Sequence, residues 1–399
     1  MNFIFISPQF PHTYWNFCDR LHRNGVNVLG IGDSTYEELE ENLKQSLTEY
    51  YRVESLEDYD QVLRAVGFFT FKYGKIDWIE SNNEYWLAQD ARLRTDFHIT
   101  TGVGQDEIEG FRSKSAMKAY YARAGVPTAR CHKISTQAAA EAFLKEVGYP
   151  VIVKPDTGVG AADTYRLEQP SDLEHFFAEL PAVPYVMEEF IEGDICSYDA
   201  ITDSQSRPLF ESMTVWPPSI MDIVNRQIDL AYYTADTVPP VLARLGRATA
   251  EAFGARSRFI HLEFFRLTKE RKGLGKPGDF VALEVNMRPA GGYTPDMMNF
   301  AHNTDVYQIW ADMVTADRRI LPQSERRHYC VYASRRDCHA YVHTHEEILD
   351  RYGDRIVMCE RMPGIMTASM GNQMYTAHAE DLDAVLEFIR YVHQQKEIK

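Results

Sequence analysis

The 399-residue sequence has six cysteines, at 18, 131, 196, 330, 338 and 359, but no CxxC pair and no histidine pair at zinc spacing beside them. That argues against a structural zinc site and leaves no disulfide framework to read, so reduced thiols in a cytoplasmic protein are expected. No apolar run approaches the roughly 18 residues that cross a bilayer, so no membrane span is expected. The opening MNFIFISPQFP has too short an apolar stretch, and no basic flank, for a signal peptide. Positive charge is in deficit, with 42 Lys and Arg against 58 Asp and Glu and a formal net charge of -16. The short basic runs at 269–276 and 318–327 are flanked by acid and read as solvated loops, so a nucleic-acid partner is not expected. There is no Walker A loop, no repeat at a solenoid period and no low-complexity tract.

What is present is an ordinary globular composition, 45% hydrophobic and 25% charged, at a length that suits two or three lobes. Residues 2–6 (NFIFI) read as a buried strand, followed by the loop Ser7-Pro8-Gln9-Phe10-Pro11, a helix near 12–24 and a second strand, VNVLGIG. That order predicts a parallel α/β unit. With helices at 36–48, 57–65 and up to Arg94, and a strand in IDWIES, residues 1–112 form a doubly wound α/β domain. Residues 113–193 read as a second, mixed unit, 194–320 as a strand-rich third, and 321–399 as a small C-terminal α+β lobe.

The segment FIHLEFFRLTKERKGLGKPGDFVALEVNMRP is the most informative. Two strand-like runs flank a Gly- and Lys-rich loop, predicting an antiparallel pair. Glu263 and Glu284 lie symmetrically about Gly273-Leu274, so symmetric pairing sets them opposite each other on one face. By the period-two rule Glu284, Asn286 and Arg288 share that face, while Val285 and Met287 point away. Two carboxylates held opposite one another repel unless a cation sits between them, and two Glu with one Asn suit Mg²⁺; taken alone, an exposed polar face of ordinary acids reads equally well. Arg288 brings a planar fork fitted to phosphate or carboxylate.

Two further segments carry chemistry. Val151-Ile152-Val153-Lys154 is an apolar strand ending in a lysine, followed by the small residues Gly158, Gly160, Ala161 and Ala162, where backbone N–H groups can approach an anion. Taken alone, a plain strand turn is the simpler reading there. Tyr185-Val186-Met187-Glu188-Glu189-Phe190-Ile191-Glu192-Gly193-Asp194 is a strand running into an acidic turn.

Together these segments, with the lysine of FRSKSAMKAYYARAGVPT before them, resemble the ATP-grasp superfamily in motif content, order and separation over about residues 110–320. The resemblance implies a fold of two α+β subdomains clamping ATP, behind the N-terminal α/β domain. It implies that Lys114 and Lys154 hold the nucleotide phosphates and that Gly158, Gly160 and Ala161 belong to a flap over them. Glu188, Glu189, Phe190 and Ile191 would form the adenine hinge through main-chain groups. Glu263, Glu284 and Asn286 would bind Mg²⁺ or Mn²⁺, and Arg288 would stabilise the transferring phosphoryl group. The sequence departs from the family at Ile195, where many members place a ribose-binding acid, leaving Asp194 or Glu192 to serve.

The implied activity is that of an ATP- and Mg-dependent ligase which activates a carboxylate as an acyl phosphate for attack by a nucleophile, an amine in the favoured case. Carboxylation of bicarbonate, acyl transfer to a thiol or hydroxyl, and nucleotide sensing without turnover are the alternatives. Arg288, Gly291, Gly292 and Arg226 are the candidates for binding the small-molecule carboxylate, and a homodimer is the assembly to look for. His261 falls on the face of Glu263 and is read as a structural histidine in preference to a base. Met358, Met362, Met366, Met370 and Met374 recur every four residues, but Pro363-Gly364 interrupts a helical stripe, so core filling is expected.

Overall fold

The computed structural model describes residues 1–158, 163–180, 182–217 and 228–396. Three sheets organise the described residues. The first joins β1 (Asn2–Ile6), β2 (Asn27–Gly32), β3 (Glu49–Arg52) and β4 (Trp78–Glu80) in the order β3-β2-β1-β4, all parallel. Alternation within β1 explains why both of its faces are covered. Phe3 and Phe5 face the helix Trp15–Arg23, while Ile4 and Ile6 join the core beneath the helix Tyr59–Tyr73. The region expected to be helical at 36–48 is a short 3-10 turn, Tyr36–Glu38, and a helix Glu41–Ser46.

The second sheet is a small antiparallel one, β5 (Cys131–Lys133), β6 (Val151–Pro155), β7 (Tyr165–Leu167) and β8 (Tyr185–Glu189), ordered β5-β8-β6-β7. The helices Gln137–Val147 and Pro170–Ala178 cover one face, burying Leu144, Leu173 and Phe176 against Val151, Val153 and Met187. The other face is left for Lys154 and Glu188.

The third sheet has eight antiparallel strands: β9 (Gly193–Thr202), β10 (Pro208–Trp216), β11 (Ala231–Thr234), β12 (Arg258–Leu267), β13 (Phe280–Asn286), β14 (Tyr329–Arg335), β15 (Ile356–Arg361) and β16 (Gln373–Ala379). Their order is β13-β12-β9-β10-β11-β14-β16-β15, so the sheet runs unbroken past residue 320 into the last part of the chain. Gly193 opens β9 where a Cβ would stand 2.7 Å from the carbonyl oxygen of Arg266, a close approach that only glycine permits.

The parallel domain docks through two devices. The helix Val306–Ala316 inserts Trp310 against Phe3, Phe5 and Phe17, with ring centroids 4.9–6.5 Å apart. Beside it Glu80 of β4 accepts hydrogen bonds from Arg94 (2.9 Å) and from Arg258 at the start of β12 (3.2 Å), all three buried. Arg258 also donates to the Met287 carbonyl at 3.1 Å. A buried charge is tolerated only when paired in this way, and the pairing fixes the loop after β4 over the end of β13.

Candidate functional site

The hairpin forms as the symmetry of its sequence predicts near its open end. Glu263 is paired with Glu284, and His261 with Asn286. A bulge between Glu263 and Phe264 shifts the rest of the ladder by one residue. Val285 and Met287 are buried on the opposite face, leaving Glu284, Asn286 and Arg288 on one side. Asn286 donates to Glu263 Oε1 at 3.4 Å, and Arg288 donates to Asn286 Oδ1 at 3.2 Å.

Lys114 is set by the helix Lys114–Ala124, whose start is tied to the end of β6. Ser113 caps the helix by accepting from Ala116 N. Asp156 takes hydrogen bonds from Ser115 N (2.8 Å) and from the hydroxyls of Ser113 and Ser115 (3.0 Å each). Burial pushes the Asp156 carboxyl up, but these donors outweigh it and hold its pKa below the ordinary value. The Lys114 ammonium thereby reaches Glu284 Oε1 at 3.0 Å and donates to the Gly158 carbonyl at 3.1 Å.

Lys154, on β6, meets Glu188 of β8 at 2.6 Å, and the second oxygen of Glu188 meets Lys118 at 2.5 Å. Burial raises the Glu188 pKa, but the two ammonium groups prevail and lower it to about 2. Burial likewise disfavours charge on Lys154, and Glu188 and Glu284 reverse this, holding its pKa above the ordinary value. Lys118 was not singled out from the sequence. Its position one helical turn after Lys114 was the available signal.

His261 is a satisfied buried histidine. Its Nδ1 lies 2.7 Å from Asp199 and its Nε2 lies 3.3 Å from Glu263. Burial lowers its pKa, yet the two carboxylates override this and raise it to about 9. Glu84 is a second residue the sequence did not reveal. Its side chain is 13% exposed, it stands 3.7 Å from Arg288 Nε, and its Oε2 is buried without a hydrogen-bond partner. Burial raises its pKa despite the nearby Arg288.

Other expected residues lie apart from this cluster. The Glu189 carboxylate turns away from Glu188, as strand alternation requires, and is held by Arg130 (2.8 Å) and Arg271 (2.9 Å). Phe190 sits under the Arg166 guanidinium, 4.4 Å from the ring centroid, and Ile191 is buried among Ala129, Leu267 and Val281. Asp194 lies on the face of β9 opposite to Ser197, which pairs with Glu263, so the period-two rule turns it away from the Glu263–Glu284 row. Gly291 has open space around it, whereas a Cβ on Gly292 would meet Met370 Cε at 2.8 Å. Met358, Met362, Met366, Met370 and Met374 come from several short elements and gather in one core with Trp216, Tyr232 and Tyr293. Gly160, Ala161 and Arg226 lie outside the described residues.

Among the described residues no group of three or more His, Cys, Asp or Glu side chains is arranged to hold a metal ion. The set here is two facing carboxylates and an amide oxygen. These are the hard donors Mg²⁺ takes when nucleotide phosphates and water complete its shell, and they fit that ion. No helix among the described residues is long and apolar enough to cross a membrane.

Known proteins share one segment and the overall fold with this chain. Residues 113–181 match the family described as carbamoyl-phosphate synthase L chain, ATP binding domain. The L-arginine-specific L-amino acid ligase of Bacillus subtilis is 24% identical over 299 residues, 73% of this chain and 69% of that one. An alanine–anticapsin ligase from Bacillus subtilis is 24% identical over 149 residues, so this chain spans only 30% of that protein's length. The crystal structure of L-amino acid ligase from Bacillus licheniformis superposes with a TM-score of 0.71 at 14% identity, covering 98% of this chain and 96% of that one. Residues 113–181 thus match an ATP-grasp ATP-binding domain, and the fold around them is that of ATP-grasp ligases.

Proposed function

We propose that the protein is an ATP- and Mg-dependent carboxylate–amine ligase, which makes an amide or peptide-like bond and releases ADP. The observation that carries this reading is the cross-strand pair Glu263–Glu284, with Asn286 and Arg288 on the same face and Lys114 at 3.0 Å from Glu284. A carboxylate is a poor acyl donor because its oxygen leaves badly, and transfer of the γ-phosphoryl group of ATP supplies a good leaving group. Both reactants are anions, so this chain's main task is to offset their repulsion.

In this reading Lys114 and Lys154 bind the ATP phosphates, and the main chain at Glu188 to Ile191 borders the adenine. Glu263, Glu284 and Asn286 hold the divalent cation, Mg²⁺ with Mn²⁺ as substitute, which neutralises phosphate charge when bound. Arg288 faces the carboxylate being activated. Glu84 supports a more specific substrate. A buried carboxylate oxygen in a long ion pair with that arginine (3.7 Å), and without a hydrogen-bond partner, suits an ammonium group. A molecule bearing carboxylate and ammonium together is an amino acid, and the ligases quoted above are named for amino-acid substrates. Gly291 and Gly292 border the space beside Arg288. The same reading carries a cytoplasmic setting and a homodimer.

The test is release of ADP and phosphate from Mg-ATP across a panel of carboxylates, with and without amines. Release that needs an amino acid and an amine together supports ligation. Release driven by bicarbonate would replace this reading with a carboxylase. Tight ATP binding without turnover under every condition would replace it with a nucleotide sensor.

A further inference from the structure

The large sheet carries a buried polar row beneath Glu263. Asn286 on β13, His261 on β12, Asp199 on β9 and Ser212 on β10 are paired side by side in register. All four are buried, and the Asp199 side chain is wholly inaccessible. Such a row costs free energy unless every member is satisfied. Asp199 is satisfied by two neighbours: its Oδ1 takes His261 Nδ1 at 2.7 Å, and its Oδ2 takes the Ser197 hydroxyl. Trp216 packs edge-on against the His261 ring, with centroids 5.6 Å apart and planes at 77°, and limits its rotation.

The other ring nitrogen points at the cluster. His261 Nε2 lies 3.3 Å from Glu263 Oε1, and the Asn286 amide donates to that same oxygen at 3.4 Å. Both contacts fall on Oε1 and leave Oε2 out of them. The arrangement Asp199–His261–Glu263 therefore selects which oxygen of Glu263 is presented. Outer groups that orient a metal ligand in this way commonly matter nearly as much as the ligand itself. We propose that Asp199, acting through His261, is a positioning residue that fixes Glu263 for binding a divalent cation. This rests on the reading of Glu263 as a cation ligand given above.

The test is titration of the full-length protein with Mn²⁺ at saturating ATP, followed by electron paramagnetic resonance, beside ATP affinity measured in EDTA. Asp199→Asn keeps the size of the side chain and removes its charge. His261→Gln keeps a donor toward Glu263 and loses the link to Asp199. Each is expected to weaken Mn²⁺ binding on the order of 10-fold, with metal-free ATP affinity unchanged. Ser212→Ala, in the same row but bonded to His302 at 2.9 Å, is expected to change neither. If Asp199→Asn does not fold, His261→Gln and Ser197→Ala decide the matter by the same readouts. Folded variants with unaltered Mn²⁺ affinity, while Glu263→Gln loses it, overturn the brace alone. A Glu263→Gln variant that binds Mn²⁺ like the parent overturns the reading of Glu263 and the brace with it. Equal loss in Ser212→Ala also overturns the brace, since any change in the row would then suffice.

Discussion

Replacing Glu188 by Gln tests the electrostatic logic of the site most directly. The carboxylate sits between the ammonium groups of Lys154 and Lys118 at 2.6 and 2.5 Å, with 5% of its side chain exposed. Removing one partner of a buried ion pair leaves the others uncompensated and typically costs about 3–5 kcal/mol. The protonation equilibrium gives a similar figure. The Glu188 pKa falls from an ordinary 4.5 to about 2, and at roughly 1.4 kcal/mol per pKa unit this contributes about 3–4 kcal/mol. Because the folded pKa is depressed, that stability is fully present above pH 4.5 and is lost as pH falls toward 2. Hydrogen exchange of the β6 and β8 amides reads the loss locally, where a global unfolding curve would blur it. In Glu188→Gln these amides are expected to exchange faster at neutral pH, with a weaker dependence on acid. ATP, by bringing phosphate oxygens to the two lysines, is expected to restore protection to a greater extent than in the parent. Protection of β6 and β8 equal to the parent at neutral pH would refute the argument that this carboxylate offsets two buried charges.

Further outcomes follow from the same geometry. Glu284→Gln is expected to abolish ADP release and weaken Mn²⁺ binding while leaving the thermal transition in place. Arg288→Lys keeps the charge but loses the planar fork, and kcat is expected to fall on the order of 100-fold with little change in ATP affinity, as measured by steady-state kinetics. Gly193→Ala pushes a Cβ to 2.7 Å from the Arg266 carbonyl; a loss of about 1–3 kcal/mol is expected by chemical denaturation.

The Glu263–Glu284 hairpin was readable because its chemistry repeats with the period of a strand. Glu284, Asn286 and Arg288 alternate with buried neighbours, and the symmetry about Gly273-Leu274 gave the Glu263–Glu284 pairing. The bulge after Glu263 left no trace in the pattern, since one extra residue in a ladder looks like an ordinary strand residue. Glu84 and Asp199 were not legible, because each acts on a partner far along the chain, Arg288 and His261. Asp194 shows the limit of spacing alone. It stands one residue from the expected position, and in a strand one residue reverses the face. The methionines spaced by four looked helical in period, yet they meet because strands and turns fold back on each other.

The unbroken third sheet constrains how this chain can be cut. β14 hydrogen-bonds to β11 along Ala231–Thr234, and β16 lies beyond it. Expressing only the first 320 residues would strip β11 of that neighbour and leave its N–H and C=O groups as a sticky border open to foreign strands. Such a fragment is expected to clump, and the tail would not refold as a free-standing partner, because its strands are the far planks of the floor on which the Glu263–Glu284 hairpin stands.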